Sequence, residues 1–216
     1  SSLRPHLSVS ARAPWPVVAF LSGLAGLGYE LAWTRMLAVG LGHEIPAVLA
    51  VTAALFCGLA LGAWLSERPR AAAAHPARLY AALELCIGGW SLATIFLIPS
   101  ANHLVARWTG PMPSPLRHWA VAFLVPLALL LPATGAMGAT LPALVRLAAR
   151  LGAGGRVAGL YAANTFGAVA GTLLSTLLVV PRLGLGAALA CFAAINFTCA
   201  AAALAAGQGP AAARPP

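Results

Sequence analysis

Six apolar stretches, parted by short segments that collect most of the charged residues, divide the chain at 15–39, 47–65, 79–98, 118–142, 157–180 and 185–206. As a helix, each is long enough to cross a hydrocarbon core of about 30 Å. The pattern predicts an all-α fold, a polytopic transmembrane six-helix bundle over 15–206. A polar segment with Arg4, Arg12, Pro5 and Pro14 precedes it at 1–14, and a Gly/Pro/Ala linker-like tail follows at 207–216.

Breaks in the pattern refine this picture. Pro99 is expected to close the third helix, which leaves 99–117 as the longest loop, lying along the interface or capping an opening. Pro126, Pro132 and the stretch GAMGATLP at 135–142 predict a kink or discontinuity in the fourth helix, because proline removes a backbone donor and glycine loosens the turn. Beyond it, Arg146 and Arg150 stand four apart on one helical face, as in an interfacial extension.

Composition agrees with a lipid-solvated chain. Hydrophobic residues make up 61% and charged residues 8% of the 216, and mean hydropathy is +0.88, well away from the quarter-charged make-up of a soluble domain. The net charge of +9 comes from arginines spread between apolar runs, without a basic or aromatic face for nucleic acid, so nucleic acid is excluded as a partner. With the amino terminus placed inside, nine arginines fall on inner segments and four outside, which predicts that both termini are cytoplasmic. The four cysteines all lie inside apolar runs and read as small packing residues.

Six helices divide into two sets of three. A shift of 109 residues lays Gly26 on Gly135, Gly58 on Gly167 and Gly62 on Gly171, the signature expected of a three-plus-three inverted repeat. These glycines, together with Gly138, are read as helix-packing residues, since small side chains let helices approach closely in lipid.

The chemistry available is sparse. Glu30 lies past the middle of the first helix, with Tyr29 and Trp33 as candidate aromatic walls, and it reads either as a carboxylate satisfied by a neighbouring helix or as a cation or proton site. Glu84 is a second intramembrane acid, expected to pair with Arg68, Arg70 or Arg78 or to face a substrate. Asn164 is placed to hydrogen-bond across the bundle. No catalytic constellation, cofactor motif or metal-ligand spacing is present in the sequence. Catalytic, metal and cofactor assignments are accordingly none.

Five blocks in order carry a resemblance: SGLAGLGYELAWTRMLAVGLG at 22–42, FCGLALGAWL at 56–65, LYAALELCIGG at 79–89, LPATGAMGATLPAL at 131–144 and GLYAANTFGAVAGTLL at 159–174. Together they resemble the membrane domain of the bacterial fused spermidine synthase-like proteins. The resemblance implies a bacterial inner membrane and a bundle like half of a major-facilitator transporter. It also implies a cytoplasmic aminopropyltransferase-like domain, which this chain lacks, so no catalytic residue carries over.

Three functions follow as expectations. The first is a non-catalytic integral membrane module that anchors or scaffolds a partner enzyme or membrane complex, in contact with the lipid bilayer and with other membrane subunits or a second copy. A second is a transporter or binding protein for a polyamine-like organic cation, with Glu30, Glu84, Tyr29 and Trp33 at its site. A third is the membrane half of a split aminopropyltransferase-like enzyme, working with a cytoplasmic partner of that type.

Overall fold

A computed structural model describes residues 15–42, 44–110, 114–151 and 157–207. The expected terminal segments 1–14 and 208–216, and the glycine break at 152–155, lie outside the described residues. The helices are α1 Trp15–Leu41, α2 Glu44–Ser66, a short α3 Pro69–Ala73, α4 Pro76–Thr109, α5 Pro115–Arg150, α6 Val157–Leu174, α7 Val180–Leu183 and α8 Leu185–Gly207. One π-helical turn, Ser175–Val179, joins α6 to α7. Among the described residues six spans are long and apolar enough to cross a membrane, α6 to α7 counting as one.

Two expectations are corrected. The helix expected to stop at Pro99 continues to Thr109, and the fourth run is α-helical from Pro115 through Pro126, Pro132 and Pro142 to Arg150. A proline costs one backbone hydrogen bond, and at Pro126 or Pro132 leaving the helix in lipid would strand several backbone groups with no water to receive them. Past Pro99, where α4 leaves the core, packing holds the helix, with Asn102 Nδ2 donating to the Met36 carbonyl at 2.8 Å and Val105 buried. The stop comes instead at Gly110, whose positive φ of 68° turns the chain, and α5 restarts with Ser114 as cap and Pro115 in its first turn. Most of the expected loop 99–117 is therefore helical, up to Thr109 and again from Pro115. With 34 and 36 residues, α4 and α5 run about 50 Å and overshoot the bilayer core.

Contacts set the direction of every span. In α1 and α6, Phe20 meets Gly167 and Leu24 meets Gly171, so these helices are parallel; in α2 and α5, Leu59 meets Gly138 and Gly58 meets Thr134, again parallel. Antiparallel pairs are α4 with α8, where Gly88 faces Phe197 and Ala77 faces Gly207, and α1 with α8, where Tyr29 bonds Asn196 and Cys199 bonds the Val18 carbonyl. Successive spans thus alternate direction, and Trp15 and Gly207 lie at the same end of the bundle.

Exchanging α1 with α5, α2 with α6 and α4 with α8 maps the main packing pairs onto each other: α2/α5 onto α1/α6, and α4/α5 onto α1/α8. That is the arrangement an inverted three-plus-three repeat makes. The exchange fails at α1, which also packs on α2 and α4, whereas α5 barely touches α6. A gap is left on that side.

Glycines make the two parallel pairs close. A Cβ on Gly62 would overlap the Gly135 carbonyl, one on Gly138 the Leu59 carbonyl, and Cβ atoms on Gly167 and Gly171 would overlap the carbonyls of Phe20 and Leu24. Gly58 takes the Thr134 side chain, whose hydroxyl reaches the Ala54 carbonyl at 3.3 Å. Gly26 and Gly135 differ: a Cβ on either meets nothing within 4 Å. Gly26 is not a packing glycine of this kind, and Gly135 contributes only its backbone. On the outside, Phe56, Phe96, Leu124, Phe166 and Leu177 are exposed, as they are on a surface solvated by lipid.

Candidate functional site

The polar residues of the bundle interior gather where α1, α4 and α8 meet. Glu84 of α4 is fully buried, and its carboxyl accepts hydrogen bonds from Ser22 Oγ of α1 at 2.8 Å and from Asn196 Nδ2 of α8. Asn196 accepts in turn from the Tyr29 hydroxyl at 2.7 Å. The Tyr80 hydroxyl is buried beside the same carboxyl without a hydrogen bond of ordinary geometry. A carboxyl at this depth is costly unless donors surround it, and here each oxygen has one from a different helix.

The pairing expected between Glu84 and Arg68, Arg70 or Arg78 does not occur. Arg78 precedes Glu84 by six residues, about 240° round the helix, so it projects on the opposite side while Glu84 points into the bundle. A sequence contains that angle, but not which side faces the neighbours.

Tyr29 and Trp33 belong to this cluster rather than to Glu30. Their rings stack at 5.3 Å between centroids with 13° between planes, Phe192 meets Tyr29 edge-on at 5.6 Å, and the Trp33 indole donates to Thr94 Oγ1 at 2.9 Å. Both residues are fully buried. Glu30, one position on and about 100° round, faces α2 instead, where Thr52 Oγ1 donates to its carboxylate at 3.3 Å. The aromatic walls expected for Glu30 are therefore corrected: they flank the Asn196–Glu84 network.

Loss of the Tyr29 hydroxyl has a small expected cost. Tyr29→Phe removes one interhelical hydrogen bond and keeps the stack, so thermal unfolding in mild detergent should report a loss of about 0.6–1 kcal/mol. A loss above about 2 kcal/mol would mean that the hydroxyl organises more of the cluster than this one bond.

A cavity of about 370 Å³ adjoins the cluster. All six spanning helices reach it. Its polar wall comprises Ser22, Thr140, Asn164 and Asn196, its apolar wall leucines, Ile87 and Met137, and Gly26 opens onto it. It lies between the parallel pairs α1/α6 and α2/α5, on the side where α5 and α6 barely touch. Asn164 also donates to the Ala19 carbonyl at 3.2 Å and so ties α6 to α1.

Each donor group around this cavity makes at least one bond within the protein. Ser22 and Asn196 donate to Glu84, Thr140 to the Met137 carbonyl at 2.7 Å, and Asn164 to Ala19. Oxygen lone pairs, the second N–H of each amide and a carboxyl directly behind the wall are what remain for an occupant, and no arginine lines it. Such a wall suits a ligand rich in N–H donors.

Sequence reasoning singled out Tyr29, Trp33, Glu84 and Asn164 but passed over Ser22, Tyr80, Thr140 and Asn196. The signal for Asn196 was present, an amide in the middle of an otherwise apolar span. Ser22 and Thr140 carry no such signal, since a lone hydroxyl in a membrane helix ordinarily bonds its own backbone. No protein-family model, curated protein or solved structure matches this chain.

Proposed function

We propose that this chain is an integral membrane binding protein of transporter type for a small organic cation, with a polyamine as the representative ligand. The observation that carries the reading is the cavity of about 370 Å³ whose wall residues Ser22 and Asn196 are hydrogen-bonded to the buried Glu84 carboxyl. An ammonium group entering there meets oxygen acceptors, with the Glu84 carboxyl one hydrogen bond behind them, and its methylene chain meets leucine and methionine. The anchoring role favours a bundle closed around its polar groups, and the split-enzyme role needs reactive side chains along the cavity; the cavity's openness and its amide and hydroxyl lining weigh for the cation.

Spermidine binding to the full chain in nanodiscs tests it. Glu84→Gln keeps the shape and removes the nearby charge behind the wall, so affinity should fall about tenfold, the loss of about 1.4 kcal/mol of attraction through a poorly screened interior. Gly26→Leu places a side chain in the cavity where a Cβ is unobstructed, so it should abolish binding with the melting temperature kept. Equal spermidine affinity in the wild type and both variants, or none in the wild type, would overturn the reading.

A further inference from the structure

A second cavity, of about 380 Å³, opens on the outer surface where α2, α4 and α5 meet. Leu61, Leu65, Leu83 and Leu131 form its walls, Gly135 its floor, and Ser66 lies at the end nearest α3. Arg146 stands above that end. It follows Ala139, another lining residue, by seven positions on the same face of α5, and its Nη1 donates to the Ser66 carbonyl at 3.0 Å. Its Nη2 is buried and has no partner among the described residues. Arg68 and Arg70 flank the same end around a shallow depression, with the Arg68 guanidinium held 3.8 Å above the Trp64 ring. That end thus carries three arginines against one acid in the turn, the exposed Glu67.

From Arg146 to Leu131 the helix advances about 22 Å, somewhat more than one leaflet of hydrocarbon at about 15 Å. The groove therefore begins at headgroup level and ends near the bilayer midplane. A buried cationic nitrogen without a partner, at the head of an apolar groove of leaflet length, matches the two ends of one kind of molecule.

We infer that this groove binds an anionic phospholipid, with one acyl chain between α2, α4 and α5 and the phosphate on Arg146, supported by Arg68 and Arg70. Arg146 Nη2 gains its missing acceptor in the phosphate oxygen, a charge-assisted bond. Net negative charge on the headgroup selects among lipids, because a zwitterionic headgroup brings its own cation to the arginines. The site is separate from the central cavity, and its occupancy does not depend on what that cavity binds.

Native mass spectrometry of the delipidated full chain, titrated with palmitoyl-oleoyl phosphatidylglycerol or with the matching phosphatidylcholine, tests this. The wild type should retain one phosphatidylglycerol about tenfold more tightly than phosphatidylcholine. Arg146→Gln should erase the preference. Gly135→Leu should expel the bound lipid while leaving α2 on α5, since a Cβ at Gly135 meets nothing within 4 Å. Equal retention of the two lipids by the wild type, or a wild-type preference surviving in either variant, would overturn the site.

Discussion

Gly62→Leu and Gly171→Leu should each lower the melting midpoint in mild detergent by about 6–12 °C, and the double variant should fail to yield monodisperse protein. Each new side chain starts against backbone: the Gly135 carbonyl for Gly62 and the Leu24 carbonyl for Gly171. No rotamer relieves an overlap at Cβ, so the helices must move apart and give up the contact along their whole length. Overpacking a well-fitted site costs about 1–3 kcal/mol and more where backbone cannot shift, which puts each variant near 3 kcal/mol. At about 2–4 °C per kcal/mol for a chain of this size, the expected midpoint shift follows.

Helix propensity acts in the opposite direction, since leucine favours a helix over glycine by about 0.8 kcal/mol. The measurement therefore separates packing from propensity by sign. Gly26→Leu serves as the control, because it makes the same chemical change where the added atoms enter open space. Unchanged midpoints for Gly62→Leu and Gly171→Leu would show that the parallel pairs are not held by close backbone approach.

Glu84→Leu should cost about 2–4 kcal/mol, more than the isosteric Glu84→Gln, because it leaves the Ser22 hydroxyl and Asn196 amide without the acceptor they share. The partner variant Asn196→Leu should be comparably damaging, for it strands Glu84 and Tyr29 together. Joined in one chain, the two substitutions should cost clearly less than their summed effects, since each removes the group that the other leaves unpaired. Equilibrium unfolding of the four proteins gives the coupling directly. A coupling within about 0.3 kcal/mol of zero would mean that α4 and α8 do not depend on this bond.

The glycine pairs show how far sequence alone reached. The 109-residue shift selected Gly58/Gly167 and Gly62/Gly171, and in the structure all four press on a neighbouring helix. The same shift selected Gly26 and Gly135, which instead open onto the central cavity and the outer groove. Spacing identifies where backbone is uncovered, but whether a helix or a void lies opposite depends on the partner. Tyr29, Trp33 and Glu84 were visible as polar and aromatic groups at lipid depth, yet their grouping around Asn196 rather than Glu30 depended on how α1 is rotated in the bundle.

By itself the sequence determined the number of spans and their alternation, because hydrophobic length against a bilayer about 30 Å thick leaves a helix no other place to go. It did not determine where α4 ends, since what carries the helix past Pro99 is contact with α1, where Asn102 donates to the Met36 carbonyl. Tertiary structure alone decided that Glu84 meets Ser22 and Asn196, that Glu30 stands apart with Thr52, and that a cavity lies between the parallel pairs. These depend on the rotation and neighbours of each helix, and a span that is apolar on nearly every side carries little record of either.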